Sequence, residues 1–243
     1  MKLLPPSPGV SDRVEHLVLS TTKPHSWPLA RRLAAEIHRH WEKRLLQNPS
    51  FFDGDVLVLR ELHEADAGIT GTMSLERFSA FLYWKDHPTT DPGIWDGYVT
   101  AIVHSGDGHV LLARHAAGTL NAGLWTFPGG FLDGHDIAPD GTVDVARAAL
   151  RELGVETGLD PDALTRRPGY LVSRHARGCA FAVEFQAAAD ACELQARVQA
   201  GIAKRGKVEL IDTMMIANMD TLAPLPMLPY GRQIACALFG TAT

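Results

Sequence analysis

Glu152 and Glu156 stand four residues apart in the run Arg151-Glu152-Leu153-Gly154-Val155-Glu156-Thr157-Gly158-Leu159. On a helix that separation sets the two carboxylates about 40° apart around the axis, with both side chains leaning the same way. Acids so placed repel by roughly 0.2–0.5 kcal/mol unless a cation lies between them. Upstream, Gly129-Gly130 permits a tight backbone bend, and Gly158 supplies the stop at the helix end. A glycine bend followed by stacked carboxylates suits a hard divalent cation and a phosphate chain, because magnesium keeps part of its oxygen shell for substrate phosphates. The competing reading is two solvated glutamates on a helix surface.

The elements that must position these groups follow from periodicity. Residues 14–19 read as a short strand, and Pro28 opens a helical pattern to Gln47, with Leu29, Leu33, Ile37, Trp41 and Leu45 recurring at i+4. The cations along it, Arg31, Arg32, Arg39, Lys43 and Arg44, read as a solvated face rather than a phosphate site. Residues 56–59 form an apolar strand, glycines between 66 and 71 turn the chain into a second, and Ser74 is the expected N-cap of a helix carrying Phe78, Phe81, Leu82 and Trp84. That spacing predicts core packing rather than a base-stacking platform. The turn-rich stretch 87–93 marks the expected boundary between an N-terminal module, residues 1–93, and a second domain, residues 94–243. In the latter, 98–103 and 110–114 flank an Asp107-Gly108 turn, 169–173, 180–185 and 209–216 read as strands, and 194–203 and 230–239 as helices.

Residues 129–159, with the lead-in Trp125-Thr126-Phe127-Pro128, resemble the Nudix box, G-x5-E-x7-R-E-U-x-E-E-x-G-U with U aliphatic. Gly130, Arg151, Glu152, Leu153, Glu156, Gly158 and Leu159 match the pattern, and Asp136 stands where it has glutamate. Residues 137–143 are extra and read as a loop inserted before the helix; with them removed, residues 144–150 fill the x7 slot. Val155 replaces the first acid of the Glu-Glu pair.

The resemblance implies an α/β Nudix fold, a mixed sheet in an α/β/α sandwich, here with a smaller N-terminal α+β module. It implies a metal-dependent pyrophosphohydrolase that cleaves the diphosphate of a nucleoside diphosphate linked to another moiety. Glu152, Glu156 and the Gly130 carbonyl would hold Mg2+ or Mn2+, and Arg151 would orient the acids, with Asp136 paired to it across the loop. Asp133, Asp136, Glu184 and Glu209 are candidates to replace the missing carboxylate. Residues 41–84 show a weaker resemblance to UDP-glucose pyrophosphatase-like Nudix hydrolases, which makes a nucleotide sugar such as UDP-glucose the first substrate expectation and ADP-ribose or a dinucleotide the next. Val155 favours an alternative, a degenerate Nudix domain that senses a nucleotide without cutting it; a protein that merely keeps the fold is a third reading. Members of the family are often homodimers.

Composition narrows the partners. A formal charge of -5 argues against a nucleic-acid surface built on bulk positive charge, so a small-molecule nucleoside diphosphate derivative is expected. Cys179, Cys192 and Cys236 are too few for a disulfide framework, which suits a reducing cytoplasm. Prolines 5 and 6 interrupt any secretion signal, and no apolar run is long enough to span a membrane.

Overall fold

The computed structural model describes residues 2–4, 10–66, 68–87, 91, 93–205 and 209–240. The chain opens with β1 (Lys2–Leu3), β2 (Val10–Val14) and β3 (His16–Thr21), then α1 (Pro28–Arg32) and α2 (Ala34–Gln47). The hairpin of β4 (Asp55–Ala65) and β5 (Gly68–Arg77) leads into α3 (Phe78–Asp86). Next come β6 (Trp95–His104), β7 (Val110–His115), β8 (Trp125–Thr126), β9 (Gly129–Phe131) and α4 (Val145–Thr157). The remainder is β10 (Leu164–Arg166), β11 (Tyr170–His175), β12 (Gly178–Ala187), α5 (Ala191–Ala203), β13 (Leu210–Ile216) and α6 (Pro229–Phe239).

These strands form one mixed sheet with the path β2-β11-β12-β6-β4-β5-β3; β9 pairs with β6, and β7 joins β6 to β8 and β13. The β12–β6 and β3–β5 pairs are parallel. β2 and β3 sit at opposite ends of the path yet are separated in the chain by Glu15 alone, so the sheet curls until its ends meet. Side chains alternate across it with period two. On β6, Val99, Ala101 and Val103 join the core that contains Leu153 of α4 and Val198 of α5, whereas Ile102 joins the core under Ile234 and Ala235 of α6. The result is the expected α/β/α Nudix architecture. A third core gathers Trp27, Ile37, Phe78, Phe81, Leu82 and Trp84, and Phe131 of β9 packs edge-on against Phe78 and Phe81 at 5.7 and 5.2 Å. The sheet runs on across the connector, since Val58 and Leu59 pair with Asp96 and Trp95; residues 88–90 and 92 of that connector lie outside the described residues.

Three local expectations change. Ser74 lies inside β5, opposite Val58, and its hydroxyl accepts from Arg60 Nε at 2.8 Å; strand pairing outweighs its capping tendency. The cap of α3 comes instead from Asp53, whose carboxylate accepts from Ser79 N at 2.7 Å and Ser79 Oγ at 3.1 Å. The helix expected over 28–47 breaks at Leu33 (φ -108°, ψ 27°) into α1 and α2. The strand expected over 14–19 is cut at Glu15, its two parts serving opposite ends of the sheet path.

Candidate active site

The tight bend expected at Gly129-Gly130 is not formed there: both glycines lie extended in β9, and crowding accounts for their identity. β9 runs beside β6 with Gly130 opposite Val99 and Gly129 opposite Thr100. A Cβ on Gly129 would lie 2.2 Å from the Val99 carbonyl oxygen. One on Gly130 would lie 2.5 Å from Glu152 Oε2 and 2.8 Å from its carboxyl carbon. The missing side chain at 130 is therefore the space into which the Glu152 carboxylate fits.

The helix that carries the acids is locally well specified. Asp144 caps α4 by accepting from Arg147 N at 3.0 Å, and Gly158 ends it in the left-handed region at φ 73°. Val145, Ala148, Ala149 and Leu153 bury one face of it against the sheet. Glu156 is 7% exposed and accepts from Gly129 N at 2.8 Å. Burial pushes its carboxyl well above the ordinary value; the Gly129 bond offsets part of this, and the charges of Glu152 and Glu209 add to it. Burial also pushes Glu152 up, to about 6, with Arg151 opposing and Asp136 and Glu209 reinforcing.

Arg151 is saturated by acids. Its Nε and Nη2 donate to Asp136 at 3.2 and 2.8 Å, its Nη1 donates to Glu152 Oε1 at 2.5 Å, and Asp133 lies 3.5 Å away. Burial would lower its pKa, but Asp136, Glu152 and Asp133 together raise it. Asp136 is 1% exposed and also accepts from Asp133 N at 3.0 Å. The expected Asp136–Arg151 pair is thus present, and it anchors the residue that holds Glu152. The extra segment 137–143 folds as a small hairpin against β3: Val143 N donates to Leu19 O at 2.8 Å, and Thr21 N to Gly141 O at 2.9 Å. Its ends meet, with Asp144 N donating to Asp136 O at 2.8 Å.

Val155 is 56% exposed and brings no oxygen donor to this cluster. Of the acids considered as substitutes, Glu209 is the one whose charge reaches both box glutamates; its carbonyl, just before β13, accepts from Ala116 N at 2.8 Å. Asp133 and Asp136 are engaged with Arg151, and Glu184 is paired with His104 at 2.8 Å and with Arg13. Arg205 had no signal in the local pattern: it reaches from beyond α5 to the carbonyls of Gly154, at 2.5 Å, and Val155. That contact caps the C-terminal end of the helix with a cation.

Among the described residues no three His, Cys, Asp or Glu side chains are grouped to hold a metal alone. Two carboxylates and the Gly130 carbonyl are nonetheless a donor set of hard oxygens, of the kind magnesium uses when water and substrate phosphates fill its other positions. Burial raises both box acids and the charge of Glu209 adds to each; a cation beside these hard oxygens would relieve both effects, so the residues fit one.

Residues 96–203 match the family model of the NUDIX domain. No curated protein matches the chain. Solved structures similar to it include the Nudix hydrolase RenU from M. smegmatis, at 21% identity over 59% of this chain and 83% of that one, TM-score 0.39. The NUDIX domain of Shewanella oneidensis NrtR complexed with ADP ribose is 18% identical over 63% and 93%, TM-score 0.38. A bifunctional NMN adenylyltransferase/ADP ribose pyrophosphatase from Francisella tularensis, complexed with AMP and a Mn ion, is 21% identical over 65% and 45%, TM-score 0.39. Among the described residues no helix is long and apolar enough to cross a membrane. Residues 96–203 of the chain thus carry a NUDIX domain.

Proposed function

We propose that this Nudix domain hydrolyses the diphosphate bridge of a nucleoside diphosphate joined to another group, with a nucleotide sugar as first substrate and ADP-ribose next. The observation that carries the reading is the convergence of Glu152 and Glu156 on Gly129 and Gly130 of β9, one filling the space beside Gly130 and the other bound to the Gly129 N–H. Glu152, Glu156 and the Gly130 carbonyl would hold Mg2+ or Mn2+, which supplies charge neutralisation on the diphosphate oxygens. Arg151, fixed by Asp136, orients Glu152 toward Gly130, and the Gly129 N–H holds Glu156 in place. Glu209 supplies a third negative charge at the site in place of the carboxylate that Val155 lacks.

The test is incubation of the full chain with Mg2+ or Mn2+ and a panel of nucleotide sugars, ADP-ribose, dinucleotides and nucleoside triphosphates, with products resolved by phosphorus NMR. Cleavage of one class at the diphosphate, abolished by Glu156→Gln, is expected. Exposed Val155 favours a second reading, in which the domain binds the nucleotide and does not cut it. Binding without turnover under every metal, and no gain from Val155→Glu, would replace the first reading with the second.

A further inference from the structure

On the face of the sheet covered by α6, polar rings line up near the glycines of β9. The Tyr98 hydroxyl on β6 lies 2.9 Å from His175 Nε2 on β11, and the Tyr98 ring packs edge-on against Tyr230 of α6 at 4.7 Å. The Tyr230 hydroxyl in turn lies 2.6 Å from Thr126 Oγ1 on β8. All three rings are half-buried, so each keeps part of its surface open. Gly178 makes room for the imidazole, since a Cβ there would lie 2.6 Å from both Cε1 and Nε2 of His175.

Asp96 stands two residues before Tyr98, on the same side of β6. It is 8% exposed, and its Oδ2 accepts from Lys85 Nζ at 3.0 Å. Its Oδ1 is buried with no hydrogen-bond partner among the described residues. A buried carboxylate oxygen without a donor is costly, and an N–H or O–H brought by a ligand is what it lacks. Gly130 pairs with Val99, three residues along the strand, so Asp96 lies about 10 Å from the level of Gly130 at strand rise. A diphosphate arm and the ring it carries can span that distance. Tyr230 joins the two ends: burial pushes its phenol up, the Thr126 bond opposes, and the charges of Glu156 and Asp96 both add to the rise.

We propose that Asp96, Tyr98, His175 and Tyr230 form the subsite for the ring-bearing group attached to the diphosphate, with Asp96 Oδ1 accepting a hydrogen bond from that group. The assignment rests on the hydrolytic reading of Glu152 and Glu156 for its place in the substrate, but its binding chemistry is independent of turnover. Aromatic faces with one fixed carboxylate acceptor suit an N–H of a nucleobase or an O–H of a sugar. Both donate to the same oxygen, and fragments separate them.

The experiment is calorimetry of the full chain, with Mg2+ present, against UMP, AMP, glucose 1-phosphate and ribose 5-phosphate. Binding of the nucleotides alone assigns the ring to the base, and binding of the sugar phosphates assigns it to a sugar. Asp96→Asn, which keeps the side-chain volume, and Tyr98→Leu should each weaken the bound fragment about tenfold or more. Mn2+ affinity, read by electron paramagnetic resonance, should stay unchanged in both variants. His175→Gln serves as a further variant if Tyr98→Leu does not fold. Folded Asp96→Asn and His175→Gln with unchanged fragment affinity would overturn the assignment, as would wild-type protein that binds none of the four. Loss of fragment binding in Asp96→Asn, in a protein that turns over nothing, would keep the subsite while removing the hydrolytic reading.

Discussion

Gly130→Ala is the substitution whose consequences the geometry specifies most sharply. The added Cβ would lie 2.5 Å from Glu152 Oε2 and 2.8 Å from its carboxyl carbon, so the carboxylate must retreat by about 1 Å to restore ordinary contact. The obstacle is the far end of a flexible side chain. The cost to folding therefore sits at the low end of overpacking, about 1 kcal/mol, or about 2–4 °C in Tm for a chain of this size. The cost to turnover is larger, because a displacement of about 1 Å at a reacting centre lowers rates about 100-fold. Gly129→Ala is the contrasting control: its Cβ would meet a backbone oxygen at 2.2 Å, which cannot move without β6, and loss of the fold is expected. Thermal melts beside metal-dependent turnover on the best substrate of the panel measure both effects. A Gly130→Ala protein with wild-type turnover would refute the claim that this glycine exists to admit the Glu152 carboxylate.

Asp136→Ala removes the buried partner of Arg151 and should cost about 2–3 kcal/mol, measured by urea denaturation, since a half-buried guanidinium loses its bidentate acceptor. Turnover should fall with it, because Arg151 then no longer fixes Glu152. Excising residues 137–143 joins ends already in hydrogen-bond contact, so the shortened chain should fold, with faster amide exchange at Thr21, whose acceptor on the excised hairpin is lost. Burial pushes the Glu184 carboxyl up, but its bonds to His104 and Arg13 outweigh this and hold it below the ordinary 4.5. A lowered acid contributes stability that is present above pH 4.5 and lost as pH falls through its folded value. Melts from pH 6 to pH 3 should therefore show a steeper acid loss for wild type than for Glu184→Gln, and parallel curves would contradict the assignment.

What the sequence made legible was local. The helix of Glu152 and Glu156, its glycine stop and the Asp136–Arg151 pair all depend on residues near one another in the chain, or on one short loop. The spacing of the aromatic residues of α3 predicts core for the same reason, and Phe78, Phe81, Leu82 and Trp84 are buried. Ser74 misled because its cap propensity is a local preference, whereas pairing with β4 and the cap from Asp53 come from elsewhere in the chain. The separation of β2 from β3 was equally hidden, since nothing near Glu15 records that the sheet curls until its ends adjoin. Arg205 reaches the box helix from 50 positions away, so no spacing rule could attach it, and Glu209 is singled out among the four candidate acids only by the packing of the chain just before β13.

The most direct test of the central claim is a Mn2+ titration of the full chain, followed by electron paramagnetic resonance, for wild type, Glu152→Gln, Glu156→Gln and Glu209→Gln. If the two box acids and the Gly130 carbonyl hold the cation, wild type binds Mn2+ and loss of either box carboxylate weakens it about tenfold or more, with Glu209→Gln weakening it less. Equal Mn2+ affinity in all four proteins would contradict the account.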